Sequence, residues 1–153
     1  MNMETPETLN FDQRTFITFR LAKLQNALNT QASKLLKRHG NVTLTEWRIL
    51  IAISVSDMGQ MADISRHSGF DKGQVSRGVK SLTKKGLVTS VADDEDARAQ
   101  VLHVTPDGKA IIDAVLPHML ARTARIERDV GAESMKHFDR VLTLMEDAAK
   151  VEF

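Results

Sequence analysis

The chain has 153 residues, with 21 Lys and Arg against 20 Asp and Glu, a net charge of +1, and 42% hydrophobic and 27% charged residues. This is the balance of a well-cored globular protein, and it argues against an extensively disordered chain and against a protein that coats nucleic acid by bulk charge. Cysteine is absent, which removes disulfides, thiolate metal sites and thiol redox sensing. Residues 1–10 carry Glu4 and Glu7 without the apolar run of a signal peptide, and no stretch reaches the roughly 18 apolar residues of a membrane span, so a cytoplasmic protein is expected.

In chain order, Phe11 to about His39 reads as one long helix, because Ile17, Leu21, Leu24, Leu28 and Leu35 recur at three- and four-residue steps. Phe16 and Phe19 fall off that stripe, leaving the first turns apolar on more than one side. Gly40 is the expected stop. Thr43-Leu44-Thr45-Glu46 has the capping-box pattern, in which hydroxyl and carboxylate each satisfy a free backbone amide. It opens a helix to about Val55 whose interior (Trp47, Ile49, Leu50, Ile51, Ile53) is nearly all apolar, which predicts burial. Asp57-Met58-Gly59 breaks the chain, a short helix spans about Ala62–His67, and Gly69 marks a turn. Asp71 caps the next helix, with Gln74 placed to complete a capping box, and Gly86 stops it. Leu87–Val91 and Gln100–Val104 form a hairpin around an acidic turn, Asp93-Asp94-Glu95-Asp96. Thr105-Pro106 starts another helix, threonine as cap and proline in the first turn. Pro117 is expected to kink it. Gly131 ends it, and a last helix from about Glu133 carries Phe138, Val141, Leu142, Leu144 and Met145.

Helix, turn, basic helix and hairpin in succession are the layout of a winged helix-turn-helix, whose second helix enters the DNA major groove. The predicted fold class is therefore mainly α (α+β): an N-terminal arm and dimerisation helix over 1–40, the winged helix-turn-helix over 41–105, and C-terminal dimerisation helices over 106–153. Between Lys72 and Lys85 there are five basic residues and no acid. Lys72, Gln74, Ser76, Arg77 and Lys80 fall on the exposed face, while Val75, Val79 and Leu82 face the core. Arginine can fork onto guanine O6 and N7 and glutamine onto adenine, whereas lysines near a helix end, such as Lys84, more often hold phosphates. The bland alternative is a solvated basic face. In the wing, the acids at 93–96 would repel phosphate, so Asp96 is read as a carboxylate that holds Arg98 and aims it into the minor groove. The alternative there is a surface ion pair of about 0–1 kcal/mol.

The five histidines lie far apart in sequence without metal-ligand spacing, and no nucleophile elbow or phosphate loop occurs. No catalytic residue, metal or cofactor is expected, and the chain is not read as an enzyme.

The sequence resembles the MarR family of bacterial and archaeal transcription regulators from Phe16 to Met145. The resemblance is carried by Leu44-Thr45-Glu46-Trp47-Arg48-Ile49-Leu50, by Asp71-Lys72-Gly73-Gln74-Val75-Ser76-Arg77, and by Leu82-Thr83-Lys84-Lys85-Gly86-Leu87-Val88. The wing signature Asp96-Ala97-Arg98 and Leu102-His103-Val104-Thr105-Pro106-Asp107-Gly108 complete it. It implies a two-fold homodimer held by the first and last two helices on a near-palindromic operator in duplex DNA, a repressor in most such proteins. In such proteins a small ligand often lowers DNA affinity; an aromatic or phenolic effector is expected in the crevice between the first, second and fifth helices, with Arg20, Trp47 and Arg48 as candidate contacts and a merely solvated arginine as the alternative at 20 and 48. Trp47 is read first as a core or interface residue. Four positions depart from the family pattern: Gly73, Gly78, Ser68 and Ser90. Each glycine costs roughly 1 kcal/mol of helix stability relative to alanine, so looser packing of the helix-turn-helix is expected. Competing functions are a constitutive or architectural DNA-binding protein, which the net charge disfavours, and a small-molecule-binding protein or enzyme using the fold as scaffold.

Overall fold

The computed structural model describes residues 16–55, 61–92 and 100–151. In chain order the elements are α1 (Ile17–His39), α2 (Leu44–Val55), α3 (Met61–Ser68), α4 (Lys72–Lys84), β1 (Val88–Ala92), β2 (Gln100–Val104), α5 (Pro106–Val130) and α6 (Ala132–Ala148). The strands pair antiparallel, Val88 opposite Val104 and Ala92 opposite Gln100. This is the mainly helical winged helix-turn-helix that the periodicity predicts. Residues 11–15 of the expected first helix lie outside the described residues.

The core gathers around α2. Trp47, Ile49, Leu50 and Ile53 are buried with Leu36 of α1, Ile64 of α3, Val75 and Leu82 of α4, Val88 and Leu102 of the hairpin, and Ile112 and Val115 of α5. Each fully buried side chain of this kind contributes about 1.5–3 kcal/mol relative to an exposed one. Among the described residues no buried side-chain polar atom lacks a hydrogen-bond partner.

The predicted caps form. The Thr43 amide donates to Glu46 Oε2 (2.7 Å) and the Glu46 amide to Thr43 Oγ1 (3.2 Å). Thr105 Oγ1 accepts from the Gly108 amide (3.1 Å) and donates to the Gly86 carbonyl (2.6 Å), tying the start of α5 to the turn that ends α4. Gly108 is needed there: a Cβ would lie 2.2 Å from the Leu87 carbonyl oxygen. Helix α1 does stop at Gly40, but Asn41 carries the left-handed backbone (φ 49), not the glycine. Helix α5 runs unbroken through Pro117.

The expected loosening of the helix-turn-helix is overturned. Gly78 is buried, and a Cβ there would stand 2.3 Å from Ile49 Cδ1, so the absent side chain is what lets α4 seat against α2. Ser68 has a job as well: its Oγ accepts from the Phe70 amide (3.3 Å), while Ser65 Oγ donates to the Phe70 carbonyl (2.8 Å). Two hydroxyls therefore fix the turn around Gly69, whose φ is +70°.

Helices α1, α5 and α6 leave apolar surface uncovered. Phe16, Ile17, Phe19, Leu24, Leu120, Phe138, Val141 and Leu144 are exposed, and α6 packs on α5 without burying any residue of its own. No helix among the described residues is long and apolar enough to cross a membrane.

Candidate nucleic-acid interface

Helix α4 is built to present one face. Asp71 Oδ1 accepts from the Gln74 amide (2.8 Å) and Gln74 Oε1 accepts from the Asp71 amide (3.2 Å), which closes the capping box. Val75, Gly78 and Leu82 are buried at the helix-turn-helix core. The remaining candidates, Lys72, Gln74, Ser76, Arg77, Lys80 and Lys84, are all exposed. Among the described residues none of Lys72, Arg77, Lys80 and Lys84 has an acidic partner, so the face carries uncompensated positive charge. The Arg77 guanidinium lies back over the first turn, 3.3 Å from where a Gly73 Cβ would be, and the second glycine makes room for it. Gln74 is in a different position from its neighbours: its carbonyl oxygen is engaged in the cap, and forking onto an adenine would require giving up that bond.

The fifth base of the run turns away. Lys85 Nζ donates to Glu46 Oε2 (2.8 Å) and to the Asn41 carbonyl (3.1 Å), and Ser81 Oγ donates to Glu46 Oε1 (2.6 Å). Glu46 is only 3% exposed. Burial pushes its carboxyl up, but the hydrogen bonds from Lys85, Ser81 and the Thr43 amide outweigh it and hold the group below the usual carboxylate range. This bolt between α2 and the C-terminal end of α4 reaches 35 to 39 residues along the chain; only its local half, the capping box, was readable from spacing.

The hairpin projects from the body, with Val88 buried and Thr89–Ala92 exposed. Asp96 and Arg98 lie outside the described residues.

The three effector candidates are not brought together. Trp47 is a core residue, Arg20 is exposed on α1, and Arg48 is exposed with its guanidinium 5.6 Å from the Phe70 ring centroid. That cation–π contact braces the α3–α4 turn. A cavity of about 990 Å³ opens instead between α2, β2 and the first half of α5, lined by Ile51, Val55, Leu102, Ile112 and Leu116 with Lys109 and Asp113 at its polar edge. None of the three candidates lines it, and α1 takes no part. Sequence spacing also missed the stacking of His39 on His118, ring centroids 3.6 Å apart, where α1 meets α5.

A recessed helix under a charged one, a fixed turn and a projecting hairpin define a winged helix-turn-helix protein. Residues 41–99 match the family model described as MarR family. A MarR/EmrR family transcriptional regulator from Acinetobacter sp. ADP1 is 21% identical, with a TM-score of 0.82 over 92% of this chain and 99% of that one. BpsR of Bordetella bronchiseptica, whose DNA binding is regulated by 6-hydroxynicotinic acid, is 16% identical, with a TM-score of 0.80 over 90% and 97%. The M. tuberculosis transcriptional regulator MOSR, solved in complex with DNA, is 21% identical, with a TM-score of 0.74 over 88% and 96%. No curated protein sequence matches the chain. Residues 41–99 are thus similar to the MarR family, and the chain has the fold of MarR-family transcription regulators over about nine-tenths of its length.

Proposed function

We propose that the protein is a homodimeric transcription regulator, acting as a repressor in the cytoplasm, that reads a near-palindromic operator with α4 and is released by a small-molecule effector. It is not an enzyme on this reading. The observation that carries it is the division of α4: three buried positions lock the helix to the body, and the opposite face presents Lys72, Ser76, Arg77, Lys80 and Lys84, whose cations have no acidic partner among the described residues. Uncompensated cations on a rigid, exposed helix suit a polyanion, and Arg77 at mid-helix suits a base edge. The dimer rests on the uncovered apolar faces of α1, α5 and α6, and a two-fold axis would set two α4 helices on successive major grooves, roughly 34 Å apart. Arg98, aimed by Asp96, is proposed to take the minor groove. The effector reading draws support from the regulation of BpsR by 6-hydroxynicotinic acid. Its place here is the α2–β2–α5 cavity, whose apolar wall and polar Lys109 edge suit an aromatic acid or phenol. A gel shift of the protein on the DNA upstream of its own gene, with random DNA of equal length as competitor, tests the reading. Saturable binding that random DNA does not compete is expected; equal binding to both would overturn sequence-specific recognition.

A further inference from the structure

A second cleft, of about 830 Å³, lies between α1 and α5. It shares no residue with the α2–β2–α5 cavity, and α4 contributes nothing to it. We propose that this cleft binds an organic dianion, a molecule with two carboxylate or phosphate groups on an apolar body.

The charge is lopsided. Lys34, Arg38, Arg122 and Arg125 line the cleft against one carboxylate, Asp129, which already faces Arg125 at 3.5 Å and Arg128 at 3.6 Å. Among the described residues Lys34 and Arg38 have no acidic partner. Like charges gathered in a recess repel one another, and an anion placed among them relieves that repulsion. The lining is not all polar: Leu35, Ala121 and Ile126 share it with the cations. An amphipathic anion would cover these apolar side chains while its charged groups meet the cations. Arg122 is also preset, its Nε donating to Gln31 Oε1 (2.7 Å) and its Nη2 to the Leu28 carbonyl (3.0 Å). A guanidinium already oriented loses little freedom when a ligand arrives. The spread of the cations selects two anionic groups over one. Lys34 and Arg38 stand one helical turn apart, and the α1 side of the cleft from Gln31 to Arg38 is about 10 Å long at 1.5 Å per residue.

Isothermal titration of the full chain with naphthalene-2,6-dicarboxylate, in low salt, tests the site, with 2-naphthoate and inorganic phosphate as comparison probes. One site per chain that the double variant loses is expected, at least tenfold tighter for the dicarboxylate than for either comparison probe, and binding that survives the double variant belongs to the α2–β2–α5 cavity. The double variant Lys34→Gln/Arg38→Gln should weaken it at least tenfold while melting like the parent, and Ile51→Val in the other cavity should leave it unchanged. Equal binding by the double variant overturns the site, as does no binding of the dicarboxylate by the parent. Equal affinity for 2-naphthoate overturns the dianion class. If the parent ignores all three probes and the double variant instead loses operator affinity with a shallower salt slope, the cleft faces DNA phosphate and the proposal fails.

Discussion

At the scale of single residues, Glu46 holds the helix-turn-helix together, and Arg77 is the residue proposed to read DNA with it. Glu46 accepts from Thr43, Ser81 and Lys85, so its carboxyl is held below its ordinary value despite burial. A depressed folded-state value means the stabilisation is present above the unfolded value of about 4.3 and is lost as pH falls through the folded one. Glu46→Gln is therefore expected to cost about 1.5–3 kcal/mol in urea unfolding at neutral pH. It should also flatten the acid limb of stability, and an unchanged acid limb would show that other carboxylates dominate it. Arg77→Ala is expected to lower operator affinity by about 1–3 kcal/mol and to relax preference at one base position. Lys84→Ala should weaken all sequences alike and reduce the salt slope by about 1. Equal losses for Arg77→Ala on operator and random DNA would remove its base-reading role. The i, i+3 halves of these networks, Thr43 with Glu46 and Asp71 with Gln74, were legible because a cap is a local pattern. The long-range halves were not, since spacing along one helix says nothing about which lysine of another will arrive beside a buried acid.

Between elements, the α2–α4 contact turns on the pair Gly78 and Ile49. Alanine at 78 would gain about 1 kcal/mol of helix propensity, against an overpacking cost of about 1–3 kcal/mol where its Cβ meets Ile49 Cδ1. Gly78→Ala is expected to destabilise modestly alone and to stabilise in the background of Ile49→Val, which deletes the offending methyl. Additive effects in that double-mutant cycle would mean the two positions do not touch. Where α1 meets α5, His39 is held below the usual histidine range by desolvation first, then by His118 and by Arg38. The fold thus favours the neutral ring, so this contact is strongest above about pH 6.5 and weakens as pH falls through it. Melting temperature should drop between about pH 7 and pH 5.5, and His39→Asn should shrink that drop. Helix positions, order and buried faces were readable because periods of 3.6 and 2 report which face is covered. The significance of Gly78 was not, because propensity prices a glycine within its own helix and is blind to the neighbour that needs the space.

For the whole molecule, the uncovered apolar residues of α1, α5 and α6 set the expectation for assembly. Light scattering at micromolar concentration should give the mass of two chains, and replacing Leu120 and Leu144 by serine should shift the protein toward monomer and lower operator affinity with it. A monomeric parent would refute the dimer. The class of protein was legible because the helix-turn-helix and hairpin leave dense local signals. The placing of Arg20, Trp47 and Arg48 was not, because a family's crevice does not say which of its residues this chain buries: here Trp47 is core and Arg48 braces a turn. The clean split of α4 has a consequence for descent. Its proposed reading positions, Ser76, Arg77 and Lys80, are exposed, while Val75, Gly78, Val79 and Leu82 pack against the core and Ser81 bonds to Glu46. A duplicated copy of this gene could drift to a new operator through the first set at little cost in stability, so specificity is the property free to diversify and the seating of the helix the one held constant.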